Sequence, residues 1–151
     1  MQQAKAAMHG AETTGRKAGH DHGGRRGGPG HDHGLANLPQ LDVEKLDCYR
    51  VAIEFQTLAA GLLPRGCGAL RDQLDRASVS IALNLSEGAG VRAPRQKARY
   101  YAIARGSASE CAAVLAIASA RGLADANACS RGRELVVRLV QMLTRLERRF
   151  R

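Results

Sequence analysis

The sequence predicts an all-α fold, an antiparallel up-down-up-down four-helix bundle preceded by a disordered N-terminal tail. Three observations predict it. Apolar residues recur at helical spacing and nowhere alternate as in a strand. Ala, Leu, Arg and Glu dominate the segments that carry this periodicity. Pro39, Pro64 and Pro94 fall between those segments and never inside one, as helices require. The spacing predicts helices over 43–61, 67–87, 95–120 and 127–149. The connections between them are short, which makes sequential helices antiparallel neighbours.

The tail comes first. Residues 1–40 hold nine of the 17 glycines, all five histidines and only ten apolar residues. Such a stretch buries too little surface to offset its ordering entropy. Its repeat, His20-Asp21-His22-Gly23 and His31-Asp32-His33-Gly34, sets imidazole beside carboxylate, a pairing that chelates transition metals weakly in a flexible context. It is read as solvated low-complexity sequence, with neither a metal site nor a cofactor expected. Residues 41–151 form the predicted bundle.

Helix 1 carries Val51, Phe55, Leu58 and Leu62 on one side and Leu46, Tyr49, Ile53 and Ala60 on another. A helix apolar on two sides needs two neighbours: its own bundle and, by this reading, a second subunit. The chain is therefore expected to be a homo-oligomer. Helix 2 has one stripe, Leu70, Leu74, Ala77, Ile81 and Leu85. Helix 3 is rich in small residues, Ala104, Ala108, Cys111, Ala112 and Ala118 among them, which lets a neighbour approach closely. Helix 4 repeats Leu135, Leu139, Met142, Leu146 and Phe150.

Charge and chemistry narrow the function. The chain carries 23 basic and 14 acidic side chains, a formal net charge of +9. Residues 41–151 account for 18 of the basic and 11 of the acidic groups, and 16 of those 18 are Arg. Arg pairs bidentately with phosphate, so RNA or DNA is a reasonable partner. Arg131, Arg138, Arg145 and Arg149 form one stripe along helix 4, and Arg92, Arg95, Lys97 and Arg99 a second cluster at the helix 2–3 turn. With three Tyr, two Phe and no Trp, recognition by base stacking is disfavoured and backbone contacts are favoured. A solvated Arg-rich surface accounts for the same residues equally well. Catalysis has little support: residues 41–151 contain no His, Cys48, Cys67, Cys111 and Cys129 lack a neighbouring base, and no phosphate-binding loop is present. The cysteines form no C-x-x-C pair and read as reduced, buried thiols of a cytoplasmic protein. No apolar run is long enough for a membrane span, and no secretory leader is evident at the N-terminus.

The densest motif spans helices 2 and 3. Arg76, Ser80, Asn84 and Glu87 share one helix face, beside the apolar stripe. Gly88 and Gly90 suit a helix C-terminus with positive φ, and Pro94 suits the first turn of helix 3. Arg105, Gly106, Ser107 and Glu110 follow. A hairpin centred near residue 91 or 92 sets Arg76 near Glu110, Ser78 near Ser107 and Glu87 near Lys97. These pairs read as a structural clamp; a ligand or nucleic-acid site on the same hairpin is the alternative.

The run QLDRASVSIALNLSEGAGVRAPRQKARYYAIARGSASECAAVL resembles the 23S rRNA intervening-sequence protein family. The pattern Q-L-x-R-A-x-x-S-I, N-I-x-E-G-x-G-R and A-R-G-S-x-x-E is met by Gln73, Leu74, Arg76, Ala77, Ser80, Ile81, Asn84, Glu87, Gly88, Gly90, Ala104, Arg105, Gly106, Ser107 and Glu110. Val91 stands where the family usually has Arg, with Arg92 following, and Leu85 replaces the usual Ile. The resemblance implies a four-helix bundle assembled as a ring-like homopentamer without enzyme activity. A related branch resembles accessory proteins of diversity-generating retroelements. That likeness implies a reverse transcriptase and nucleic acid as partners.

Overall fold

A computed structural model describes residues 39–151. The tail and its His-Asp repeats lie outside the described residues. Four helices follow one another: α1 (Asp47–Leu62), α2 (Gly68–Gly90), α3 (Pro94–Ala120) and α4 (Ala126–Arg149). A single 3₁₀ turn, Arg65–Cys67, leads into α2. Among the described residues there is no strand, and no helix is long and apolar enough to cross a membrane. α1 packs on α2 and α4, α2 on α3, and α3 on α4.

Local chemistry sets the ends. α1 begins four residues later than its apolar pattern suggests, because residues 42–45 form turns and Val43 is buried as part of them. Pro94 occupies the first turn of α3, where its missing N–H costs nothing. Asp125 caps α4 by accepting from the Ala128 backbone N–H at 2.9 Å. Gly122, with φ of 61°, turns the chain between α3 and α4.

The core follows the expected stripes with one rotation. In α2, Leu74, Ala77, Ile81 and Leu85 are buried and Leu70 packs at the edge. In α1, Val51, Phe55 and Leu62 are buried, whereas Ile53 on the second apolar side is 42% exposed. In α4 the buried row is Gly132, Val136, Leu139 and Leu143, with Leu135 beside it. Met142, Leu146 and Phe150 are moved to its flank. The next position along that row is Glu147, a carboxylate in the interior.

Two expectations about the glycines are corrected. α2 runs through Gly88, Ala89 and Gly90 instead of stopping at 87, and neither glycine has a positive φ. Gly88 serves a close approach: a Cβ there would meet the Tyr101 ring at 2.5 Å. Tyr101 is 2% exposed and its other side meets Phe150, ring centroids 5.8 Å apart.

All four cysteines are free; Cys48, Cys111 and Cys129 are buried and Cys67 is half-buried. Burial pushes the Cys48 and Cys111 thiols up to about 12, which keeps them protonated and unreactive.

Gly88→Ala and Gly90→Ala are expected to shift stability in opposite directions. At 88 the clash with Tyr101 outweighs the gain in helix propensity and costs about 1–3 kcal/mol. At 90 nothing lies within 4 Å, so Ala gains up to about 1 kcal/mol. Urea midpoints of the two variants measure both effects.

Candidate nucleic-acid interface

The motif residues of α2 and α3 occupy the groove between the two helices. The Ser80 and Ser107 hydroxyls meet at 2.9 Å. Ser107 also donates to the Ile103 carbonyl at 3.2 Å, and Asn84 Nδ2 donates to Ser80 Oγ at 3.1 Å. Each hydroxyl has one proton, so Ser80 is left as the donor to Ser107. Arg76 reaches Glu110 through an intermediary: its guanidinium donates to Gln73 Oε1 at 2.5 Å, and Gln73 Nε2 donates to Glu110.

The expected pairs are thereby corrected. Gln73 stands opposite Glu110 and holds Arg76 one step away. Ser80, not Ser78, meets Ser107. Ser78 lies fully buried with Leu74 and Ile81 and returns its hydroxyl to the Asp75 carbonyl at 3.0 Å. Lys97 bypasses Glu87 and donates to the Gly88 and Ala89 carbonyls, at 2.9 Å each. The three extra residues of α2 explain this: the helix ends with free carbonyls beside Lys97, and an ammonium is their natural partner.

The outer rim of this groove is apolar. Leu83 is 60% exposed, Ile103 42% and Val79 36%. The register fixed by Ser80 and Ser107 sets Leu83 across from Ile103, with Gly106 exposed one turn along and nothing within 4 Å of its Cβ position. Glu87 lies on the same outer side, exposed and outside any ion pair among the described residues.

The basic side chains divide by task. Arg131 is held by Glu54 of α1 at 2.5 Å and by Glu134 at 3.6 Å. Lys97 closes the end of α2 and lies 5.6 Å from the Phe150 ring centroid. Arg105 Nε donates to Glu147 at 3.0 Å across α3 and α4. Arg92, Arg95, Arg99, Arg138, Arg145 and Arg149 are exposed and outside any ion pair among the described residues. Arg149 lies over Phe150 at 5.7 Å.

The two clusters reach one end of the bundle on different sides of α4: Arg145 and Arg149 line a groove with Leu46 and Asp47 at the start of α1, away from Arg95 and Arg99. The N-terminal turns of α3 and the C-terminal turns of α4 form one end of the bundle, tied by Tyr101 to Phe150 and Arg105 to Glu147. There Arg95 and Arg99 of α3 share a notch with Arg151 and Glu147, over Ala98 and Ala102. Residues 87–99 and 145–151 together hold eight basic and two acidic side chains. The Arg138, Arg145 and Arg149 row leads along α4 to this end.

Glu147 is the site residue that sequence reading missed. It is 4% exposed and accepts from Arg105 and Arg151. Burial raises its carboxyl, but hydrogen bonds from Arg151 and Arg105 outweigh that and hold it below the ordinary carboxylate range. Its signal was the 3-4-4 spacing that continues Val136, Leu139 and Leu143 to position 147. Among the described residues no group of three or more His, Cys, Asp or Glu is placed to hold a metal.

A folded-state pKa held low adds stability that is full above the unfolded value near 4.5 and is lost as pH falls through the lowered one. Glu147→Gln is therefore expected to be less stable than the parent at pH 6. The difference shrinks on acidification from pH 4.5 toward 3, and denaturant midpoints of the two proteins at each pH measure it.

A family model described as 23S rRNA-intervening sequence protein matches residues 44–145, from just before α1 to near the end of α4. No curated protein matches the chain.

Proposed function

The chain belongs to the 23S rRNA-intervening sequence protein family, and from that premise we propose that it is a non-enzymatic homo-oligomer that binds RNA. The observation that carries the reading is that Arg92, Arg95 and Arg99 lie at the end of the bundle to which the exposed Arg138–Arg145–Arg149 row leads. These arginines are exposed and outside any ion pair among the described residues, whereas Lys97, Arg105 and Arg131 serve the fold. Phosphate is the ligand that a row of unpaired guanidinium groups fits best. A scarcity of aromatics directs recognition to backbone and shape.

Self-association has a separate support. The exposed α1 residue Ile53 and the Leu83–Ile103 rim lie on different helices. Two unlike apolar faces on one chain favour head-to-tail contacts, which close into a ring. Five copies, as the family resemblance implies, repeat the basic end five times. The same rim favours a second reading, a scaffold for a protein partner such as a reverse transcriptase without direct contact to nucleic acid.

Two measurements test these readings. Fluorescence anisotropy of a labelled duplex RNA is expected to give a steep negative slope of log affinity against log salt. Arg138→Ala with Arg145→Ala flattens that slope by about two. Absence of binding by micromolar protein at roughly 50 mM salt sinks the RNA reading and leaves the scaffold. Light scattering is expected to give a five-copy mass that Leu83→Glu reduces to a single chain; a single-chain mass for the parent removes the ring.

A further inference from the structure

The exposed arginines present two different shapes. Arg138, Arg145 and Arg149 follow a helix axis and suit successive phosphodiesters, one charge at each. Arg95, Arg99 and Arg151 instead surround one notch, floored by Ala98 and Ala102, small side chains that leave room between the guanidinium groups. Glu147 closes the back of that notch and is 4% exposed. Its oxygens are already engaged, by Arg105 Nε at 3.0 Å and by Arg151. Counting the charged side chains that line it, three arginines and one glutamate, the notch keeps a surplus of two positive charges around one small space.

Such a surplus is costly unless an anion enters, and a single diester neutralises only one charge. A phosphomonoester carries about −1.5 to −2 near neutral pH and presents three acceptor oxygens. Planar guanidinium forks pair with those oxygens two at a time. We propose that the α3–α4 notch of Arg95, Arg99 and Arg151, backed by Glu147, is a binding site for a dianionic phosphomonoester. Glu147 is a positioning residue: it holds Arg151 at the notch, while Arg105 engages its other oxygen. This inference rests on the RNA-binding reading where the phosphate is the 5′ end of an RNA strand. A free phosphate ion offers the same chemistry.

The test uses the full chain and one blunt duplex RNA made with either 5′-phosphate or 5′-hydroxyl ends. Anisotropy is expected to show binding of the phosphorylated duplex tighter by on the order of tenfold, the scale of added hydrogen bonds to a charged group. Arg95→Gln with Arg99→Gln, at exposed positions that leave the melting curve unchanged, abolishes that difference; Arg138→Ala lowers both affinities alike. Equal affinity of the parent for the two duplexes overturns the notch and leaves the RNA reading standing. If neither duplex binds, the RNA reading falls and inorganic phosphate decides the notch. Shifts of the Arg95, Arg99 and Arg151 side-chain NMR signals, with the Arg151 shift lost in the double variant, support a site for the free ion. No shift at millimolar phosphate overturns it.

Discussion

The close approach of α2 to α3 at Gly88 is the constraint on which the rest of this bundle depends. The Tyr101 ring fills the space that a Cβ at position 88 would occupy, and its other side meets Phe150 of α4. One ring thus sets the spacing of three helices at the end where the charges gather. Lys97 completes the arrangement: it closes the α2 carbonyls of Gly88 and Ala89 and lies over the same Phe150 ring. Two of the five aromatic residues are placed here, which gives their scarcity a positive meaning. Most of the remaining core is Leu, Val and Ala, joined by Phe55, Ile81 and three cysteines, and its many small side chains let long helices lie close together.

Much of this was legible in the sequence. Helix number and order, Pro94 at the start of α3 and the α2 stripe needed only periodicity and backbone chemistry. What escaped followed from side-chain reach. Sequence spacing puts Arg76 opposite Glu110, but it cannot tell that the shorter Gln73 side chain stands between them. Glycines near a helix end suggest positive φ, yet Gly88 answers to a ring on the next helix. Glu147 was hidden by its Arg-rich surroundings, which read as a solvated last turn. Its burial depends on Arg105, 42 residues away.

Net charge conceals the same distinction. Sixteen arginines in residues 41–151 are chemically alike, but their surroundings give them different duties. Arg131 ties α4 to α1 through Glu54, an exposed bridge of modest worth. Arg105 compensates a buried carboxylate, Glu147, which Arg151 also pairs. Arg148 opposes the negative end of the α4 dipole. Only the arginines that remain after these roles are assigned bear on a partner, and several of them share one end of the fold.

That division separates two surfaces. The apolar rim of Leu83 and Ile103 flanks the Ser80–Ser107 contact on the outside of the α2–α3 hairpin, while the notch of Arg95 and Arg99 opens between α3 and α4. A copy docked on the rim therefore need not cover the notch. Rotation about a ring axis would place every notch at the same height, so a long polyanion could touch several at once. Linked weak contacts raise affinity without any new contact within a subunit, provided that the spacing matches the ligand. On the proposed reading a single bundle with a handful of exposed arginines would bind RNA poorly, and a closed ring would be the unit that binds.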